Sequence, residues 1–274
     1  MPELPETETI ARDLSALVVG RTVRSVKVNR PDVLRLVTAR RLGTRLAGRR
    51  ITRTWRRAKI VVLDLSSDDR LLVQPRFTGR LLVMPEASSR REEYAAVRLS
   101  LDDGRVLVYA DVRRLGTFAL ATPEQFGTID RSLGIEPLDP ELTSERFSAN
   151  IRVSERAVKS VLMDQRRVAG VGNIYANEAL WSAEIDPSRP ASSLTGREAE
   201  CLFDALRDVL RRAIAARGTT FRDYRDAAGE RGGFAAELAV YGRSDAPCPR
   251  CGTHIAVTHA IDGRSAYFCF RCQT

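Results

Sequence analysis

Residues 248–272 read CPRCGTHIAVTHAIDGRSAYFCFRC. Cys248 and Cys251 are separated by two residues, as are Cys269 and Cys272, and 17 residues lie between the pairs. That is the spacing of a four-thiolate zinc site, in which each pair supplies two corners of a tetrahedron. Asp262 and Gly263 form a hairpin-turn dipeptide between HIAVTHA and RSAYFCF. One structural zinc clamping a two-stranded ribbon is therefore predicted over residues 244–274. His254 and His259 are surplus ligands and read as ordinary strand residues. Arg264 follows the turn directly, where its planar fork of donors fits a phosphate; a solvated surface arginine is the other reading.

Upstream the hydrophobic period changes. KSVLMDQRRVAGVGNIYANEALW, residues 159–181, reads as a helix, a glycine-containing turn and a second helix beginning at Asn173, whose side chain is a good N-cap. Free amides at such a start attract phosphate, and Arg156 and Lys159 add positive charge; a hairpin that only packs a core has the same pattern. Residues 196–217 give the clearest helix. Thr195 and Glu198 have capping-box spacing, Leu202, Phe203, Leu206, Val209, Leu210 and Ile214 share one face, and Gly218 is the stop. Cys201 reads as a buried residue without a chemical role. SLGIEPLDPEL, residues 132–142, carries prolines and a glycine without a period and marks a linker ahead of a helical domain over 143–243.

Residues 1–131 follow other rules. Pro5 starts a helix, Glu6 and Glu8 suit its positive end, and Ile10, Leu14, Leu17 and Val18 form one apolar stripe before Gly20. From Thr22 to about Leu120 come short apolar runs with turn residues between them: VRSVKV, IVVLDL, RLLVQ, RLLVM, AVRLSL, RVLVYA and TFAL. This half reads as a β-sandwich or barrel. The whole is an α+β multidomain chain: an N-terminal β-sandwich with a leading helix, then a helical domain and a zinc ribbon.

Lysine and arginine number 44 against 35 acidic residues, a formal charge of +9, which favours a polyanion such as nucleic acid; charge alone fits any basic protein equally well. No apolar run approaches the roughly 20 residues of a membrane span, and MPELPETET has neither region of a secretory signal, so an intracellular, cytoplasmic protein without membrane contact is expected. A second residue as small as Pro2 permits removal of Met1, exposing a secondary amine beside Glu3 and Glu6. An α-amino group titrates near 8 and is nucleophilic at neutral pH; with a sugar C1′ it forms an iminium, and the carboxylates can supply acid and base steps. A frayed terminus is the plain reading of the same residues.

These features occur together in one known family. The start PELPE, Lys59 in RRAKIVVLDL, the DVRRLG segment, VAGVGNIYANEAL, RGTTFRDY followed by VYGR, and the four-cysteine ribbon with GRSAYF resemble the formamidopyrimidine-DNA glycosylase and endonuclease VIII family over essentially the whole chain. The resemblance implies a β-sandwich catalytic domain and a helix-two-turns-helix domain, with double-stranded DNA across the cleft between them and the damaged nucleotide flipped out. It implies a monomer with one structural zinc, associated with the nucleoid through DNA. Pro2 would be the Schiff-base nucleophile, Glu3 the acid that opens the deoxyribose, and Glu6 a supporting group. Lys59 and Arg264 would contact phosphates and assist β- and δ-elimination, with Asn173 beside them. Lys159 and Arg114 would add DNA contacts, and Thr219, Thr220, Phe221, Arg222 and Tyr224 would form the lesion loop.

A PEL start with TTFRDY resembles the oxidised-purine branch. Departures are Gln74, Pro75, Arg76 and Phe77 in place of His-Leu-Gly-Met, Leu115 in place of phenylalanine, and Tyr94 about where a DNA-contacting histidine is expected. Phe77, Arg113 and Leu115 would fill the hole left by the flipped base, the aromatic ring having moved from the third member to the first. Phe77 and Leu115 also read as sandwich core. The alternatives are an oxidised-pyrimidine glycosylase of the same fold and a non-catalytic zinc-ribbon DNA-binding protein.

Overall fold

The computed structural model describes residues 2–220 and 231–274. The chain forms two compact units, residues 1–131 with 216–235, and residues 132–215 with 236–274. The first begins with helix α1 (Leu4–Val18), strands β1 (Val23–Val28) and β2 (Leu34–Arg35), and helix α2 (Ala39–Leu46). Strands β3 (Ile51–Arg57), β4 (Ile60–Leu65), β5 (Arg70–Gln74) and β6 (Gly79–Pro85) follow, then helix α3 (Glu86–Ser89), strands β7 (Ala95–Leu101), β8 (Arg105–Asp111) and β9 (Thr117–Ala121), and helix α4 (Pro123–Arg131). They build a four-stranded sheet in the order β1-β7-β8-β6 and a five-stranded sheet in the order β2-β9-β5-β4-β3. Only the β2–β9 pair is parallel among these ladders.

The period-2 pattern explains the layering. Val61, Leu63, Leu71, Val73 and Phe118 of one sheet share a buried core with Leu81, Val97, Leu99, Leu107 and Tyr109 of the other, a sandwich. The intervening Val62, Leu72 and Ala119 point to the opposite face, where Phe126 of α4 covers them. Ile10, Leu14 and Val18 of α1 are fully buried in the main core, each contributing roughly 1.5–3 kcal/mol. Phe77 and Leu115 are 45% and 40% exposed and lie outside it, so their reading as core is overturned. The strand ITRTWRR at 51–57 has no apolar run to announce it; Arg56 and Arg57 are held by Glu8 and Asp130 instead.

The second unit holds helices α5 (Ser144–Arg152), α6 (Val158–Met163), α7 (Asn173–Ser182) and α8 (Gly196–Ala215), then strands β10 (Ala256–Thr258) and β11 (Ala266–Phe268). Thr195 and Glu198 cap α8 as their spacing predicts: the Thr195 amide donates to Glu198 at 2.7 Å and the Glu198 amide to Thr195 Oγ1 at 3.2 Å. α8 ends two residues before Arg217, because Arg217 and Gly218 both take positive φ. Cys201 is exposed, not buried, since it falls one position off the Leu202–Phe203–Leu206 stripe. The Asp262-Gly263 dipeptide has positive φ at both residues but lies in a seven-residue connection, 259–265, rather than a two-residue turn.

Candidate functional site

Strand register brings several predicted residues to one end of the sandwich. Arg57 pairs with Ile60, so Ala58 and Lys59 form the two-residue tip joining β3 and β4. Ala58 holds a left-handed φ of 52°, which costs a residue with a Cβ roughly 1–2 kcal/mol. Val61 pairs with Val73 and Gln74 with Thr117, which sets Lys59 at the same end as the 74–79 and 111–116 connections. Thr54 Oγ1 donates to the Ala11 carbonyl at 2.8 Å and Arg56 Nε to Glu8 at 3.1 Å. Moving toward the start of α1 thus means moving toward Lys59, and Pro2 and Glu3 reach this end too.

Pro2, Glu3, Glu6 and Lys59 are all buried. Glu6 accepts from the Glu3 amide through Oε2 at 2.8 Å and from the Thr219 amide through Oε1 at 2.7 Å. One carboxylate thereby fixes both the start of the chain and the 216–235 segment. Thr219 bridges to Gly233, Phe234 N–H donates to the Gly218 carbonyl at 3.1 Å, and Gly232 N–H to Thr220 Oγ1 at 2.9 Å. Gly218 has φ +84°, and a Cβ there would meet Glu6 Cγ at 2.9 Å, so side chains are excluded on two counts. Phe221, Arg222 and Tyr224 lie outside the described residues.

Connections 74–79 and 111–116 both cross from one sheet to the other, side by side, because Gly79 pairs with Asp111. Asp111, which sequence reasoning overlooked, joins them beneath. Its buried carboxylate accepts from Thr78 Oγ1 at 2.5 Å, Arg113 N–H at 3.2 Å, Gly116 N–H at 2.8 Å and Tyr109 OH at 3.1 Å. Burial, then the neighbouring Asp111 charge, pushes the Tyr109 phenol up and keeps it a donor. Phe77, Arg113 and Leu115 project from this base, while Arg114 pairs with Asp32 at 3.2 Å. Tyr94 is 43% exposed.

In the second unit Asn173 is the first helical residue of α7 and Gly172 the N-cap. Asn173 therefore does not cap; its amide donates to the Ser265 carbonyl at 3.1 Å. Lys159, only 1% exposed, donates to that same carbonyl at 2.8 Å. The ladder ends at Ala266 because the Ser265 carbonyl faces these two donors and not a strand partner. Arg264, next along, is exposed and makes no ion pair among the described residues. Asn177 accepts from Tyr267 N–H at 2.9 Å, and Glu178 accepts from the amides of Ala239, Val240 and Tyr241 at 2.8, 3.0 and 2.8 Å. Nothing in the sequence pattern distinguishes Glu178, since its partners lie about 60 residues away.

The sulfurs of Cys248, Cys251, Cys269 and Cys272 lie within 4.8 Å of one another, with Cys248–Cys272 at 3.9 Å and Cys251–Cys269 at 3.5 Å. Four thiolates at about 2.3 Å from a zinc ion stand about 3.8 Å apart, so the set fits one structural zinc. His254 bridges to Pro247 and His259 faces Ser265 at 3.0 Å; neither joins the cluster. Among the described residues, no helix is long and apolar enough to cross a membrane.

Family models match consecutive parts of the chain: the formamidopyrimidine-DNA glycosylase N-terminal domain over 1–118, the formamidopyrimidine-DNA glycosylase H2TH domain over 133–225, and a zinc finger found in FPG and IleRS over 246–274. A formamidopyrimidine-DNA glycosylase from Carboxydothermus hydrogenoformans is 38% identical over 273 residues, covering 100% of both chains. The Lactococcus lactis Fpg in complex with abasic-site DNA superimposes with a TM-score of 0.91 at 32% identity, covering 99% of each chain. A Thermus thermophilus MutM (FPG) structure is 38% identical, with a TM-score of 0.87, over 99% of this chain and 98% of that one. With three family domains in order and relatives matched end to end, the chain belongs to the formamidopyrimidine-DNA glycosylase family.

Proposed function

We infer that this chain is a DNA glycosylase of base excision repair that excises oxidised purines through Pro2 and then cleaves the sugar-phosphate backbone. The observation that carries this reading is the buried Pro2–Glu3 start of the chain, set at the same sandwich end as Lys59 and anchored by Glu6. Removal of Met1 frees the prolyl amine. An α-amino group ordinarily titrates near 8, so a share of it carries a free lone pair at neutral pH. The nitrogen bonds to C1′ as the bond from C1′ to the base breaks, the base leaving with that electron pair and with the proton the nitrogen sheds. Glu3 gives a proton to the ring oxygen as the bond from C1′ to that oxygen opens, leaving an iminium. Loss of a C2′ proton then expels the 3′ phosphate, assisted by Lys59, and a further elimination expels the 5′ phosphate, assisted by Arg264.

Asn173 joins Lys59 and Arg264 as a phosphate ligand, Arg114 adds a DNA contact, and the zinc holds the ribbon that presents Arg264. Thr219 and Thr220 contact the flipped lesion. Phe77, Arg113 and Leu115 occupy the space vacated by the flipped nucleotide. The enzyme works on chromosomal DNA inside the cell. Lys159, buried on the Ser265 carbonyl, acts by positioning the neighbouring Arg264. Lys159→Met is accordingly expected to weaken DNA binding about tenfold in the parent and to cost little more once Arg264 is already alanine, because the lysine acts through its neighbour. A full further loss of about tenfold in the Arg264→Ala background would put Lys159 on the DNA backbone instead.

The substrate class is tested with one panel of duplexes carrying 8-oxoguanine, a formamidopyrimidine or thymine glycol. The purine lesions are expected to be cut at least about tenfold faster, a difference of about 1.4 kcal/mol in the transition state. The reverse order would move the chain to the oxidised-pyrimidine branch. Binding without cleavage of any duplex would leave a zinc-ribbon DNA-binding module.

A further inference from the structure

We propose that Phe77 determines which base opposite the lesion is accepted, by holding Arg113: the two side chains act as one stacked unit. The inference rests on the reading of Phe77, Arg113 and Leu115 as the group that fills the vacated position. The Arg113 guanidinium carbon lies over the Phe77 ring, 5.2 Å from its centroid. Arg113 makes no ion pair among the described residues, so the ring is its charge partner.

The contact is built from below. Thr78 Oγ1 donates to Asp111 and accepts from the Arg113 amide at 3.0 Å, so a single hydroxyl joins the residue after Phe77 to the backbone of Arg113. Arg76 and Arg114, which flank the pair, both hold left-handed φ values of 51° and 53°, backbone that persists only where its surroundings impose it. A Cβ on Gly79 would run into the Pro75 carbonyl, and one on Gly116 into the Tyr109 hydroxyl, so both connections pack too closely to admit a side chain at these positions. The two crossings therefore carry Phe77 and Arg113 as parts of one support.

Stacking has a chemical consequence. A guanidinium lying on a ring uses its flat face and keeps its N–H donors in the plane, directed outward. A long, rotatable side chain is thus ordered before DNA arrives, and its donors meet an orphaned base in one orientation, favouring a pairing edge rich in acceptors. Methionine in place of Phe77 would fill space without offering a π face. The departure at position 77 therefore bears on selectivity as well as on wedging.

The test measures excision of one lesion opposite each of the four bases, for the parent, Phe77→Leu, Arg113→Ala and the double variant. Phe77→Leu keeps bulk and removes the ring. It is expected to narrow the best-to-worst ratio about threefold to fivefold, approaching the effect of Arg113→Ala, with no further narrowing in the double variant. Because the ratio is taken within each variant, a smaller folded fraction does not alter it. If Phe77→Leu slows all four duplexes equally while Arg113→Ala still changes the ratio, the coupling is wrong and the space-filling reading stands. Parent rates on all four duplexes for both single variants would remove the space-filling reading itself.

Discussion

Borohydride added during turnover is expected to link the protein irreversibly to lesion-containing DNA, with the sugar on the N-terminal peptide. An α-amino group ordinarily titrates about 2 units below a lysine side chain, which makes the freed prolyl amine the better nucleophile at neutral pH, and Lys59 is proposed as a phosphate ligand. Glu3→Gln keeps the amine and the head of α1 but removes the proton that opens the sugar ring. Excision should then fall about 10² to 10⁴-fold, while binding to an uncleavable duplex stays near the parent value. Retained Met1, seen by intact mass, should abolish trapping altogether. A borohydride adduct mapped to Lys59 would refute the assignment of Pro2.

Removing zinc should have a comparably large effect through a different route. The ribbon core consists of Val240, Cys248, Ile255 and Cys269 packed with Trp181, Tyr267, Cys251 and Cys272, so half of its members are the ligands themselves. A core that small cannot order a chain alone, and a structural zinc contributes about 10–16 kcal/mol. Cys269→Ser or strong chelation is expected to unfold residues 244–274 and lower DNA affinity by at least about tenfold, because Arg264 and Ser265 lose their support. The sandwich, with its own core, should melt unchanged. Full DNA affinity in protein shown to be free of zinc would contradict the role given to the ribbon.

Local signals decided much of this protein. The four cysteines, the α1 stripe, the Thr195–Glu198 cap and seven of the strands follow from spacing and hydrophobic period, which act within a few residues. Pro2 and Glu3 stand out by their chemistry, an amine beside carboxylates at the start of the chain, whereas Lys59 is a candidate only through the family resemblance. What spacing could not reveal is any contact between distant segments. β3 is not legible because Arg56 and Arg57 are satisfied by Glu8 and Asp130, which no window around residues 51–57 contains. Asn173 suits an N-cap by its neighbours, yet its amide turns to Ser265, 92 residues on. Phe77 could have been core or wedge by sequence; sheet-to-sheet crossings around Asp111 put it in solvent with Arg113 over its ring. Sequence alone determines which chemical groups are present and the period of each element. Only tertiary structure decides which buried carboxylate, carbonyl or ring each group meets, because the great majority of buried polar atoms find a partner wherever the fold places one.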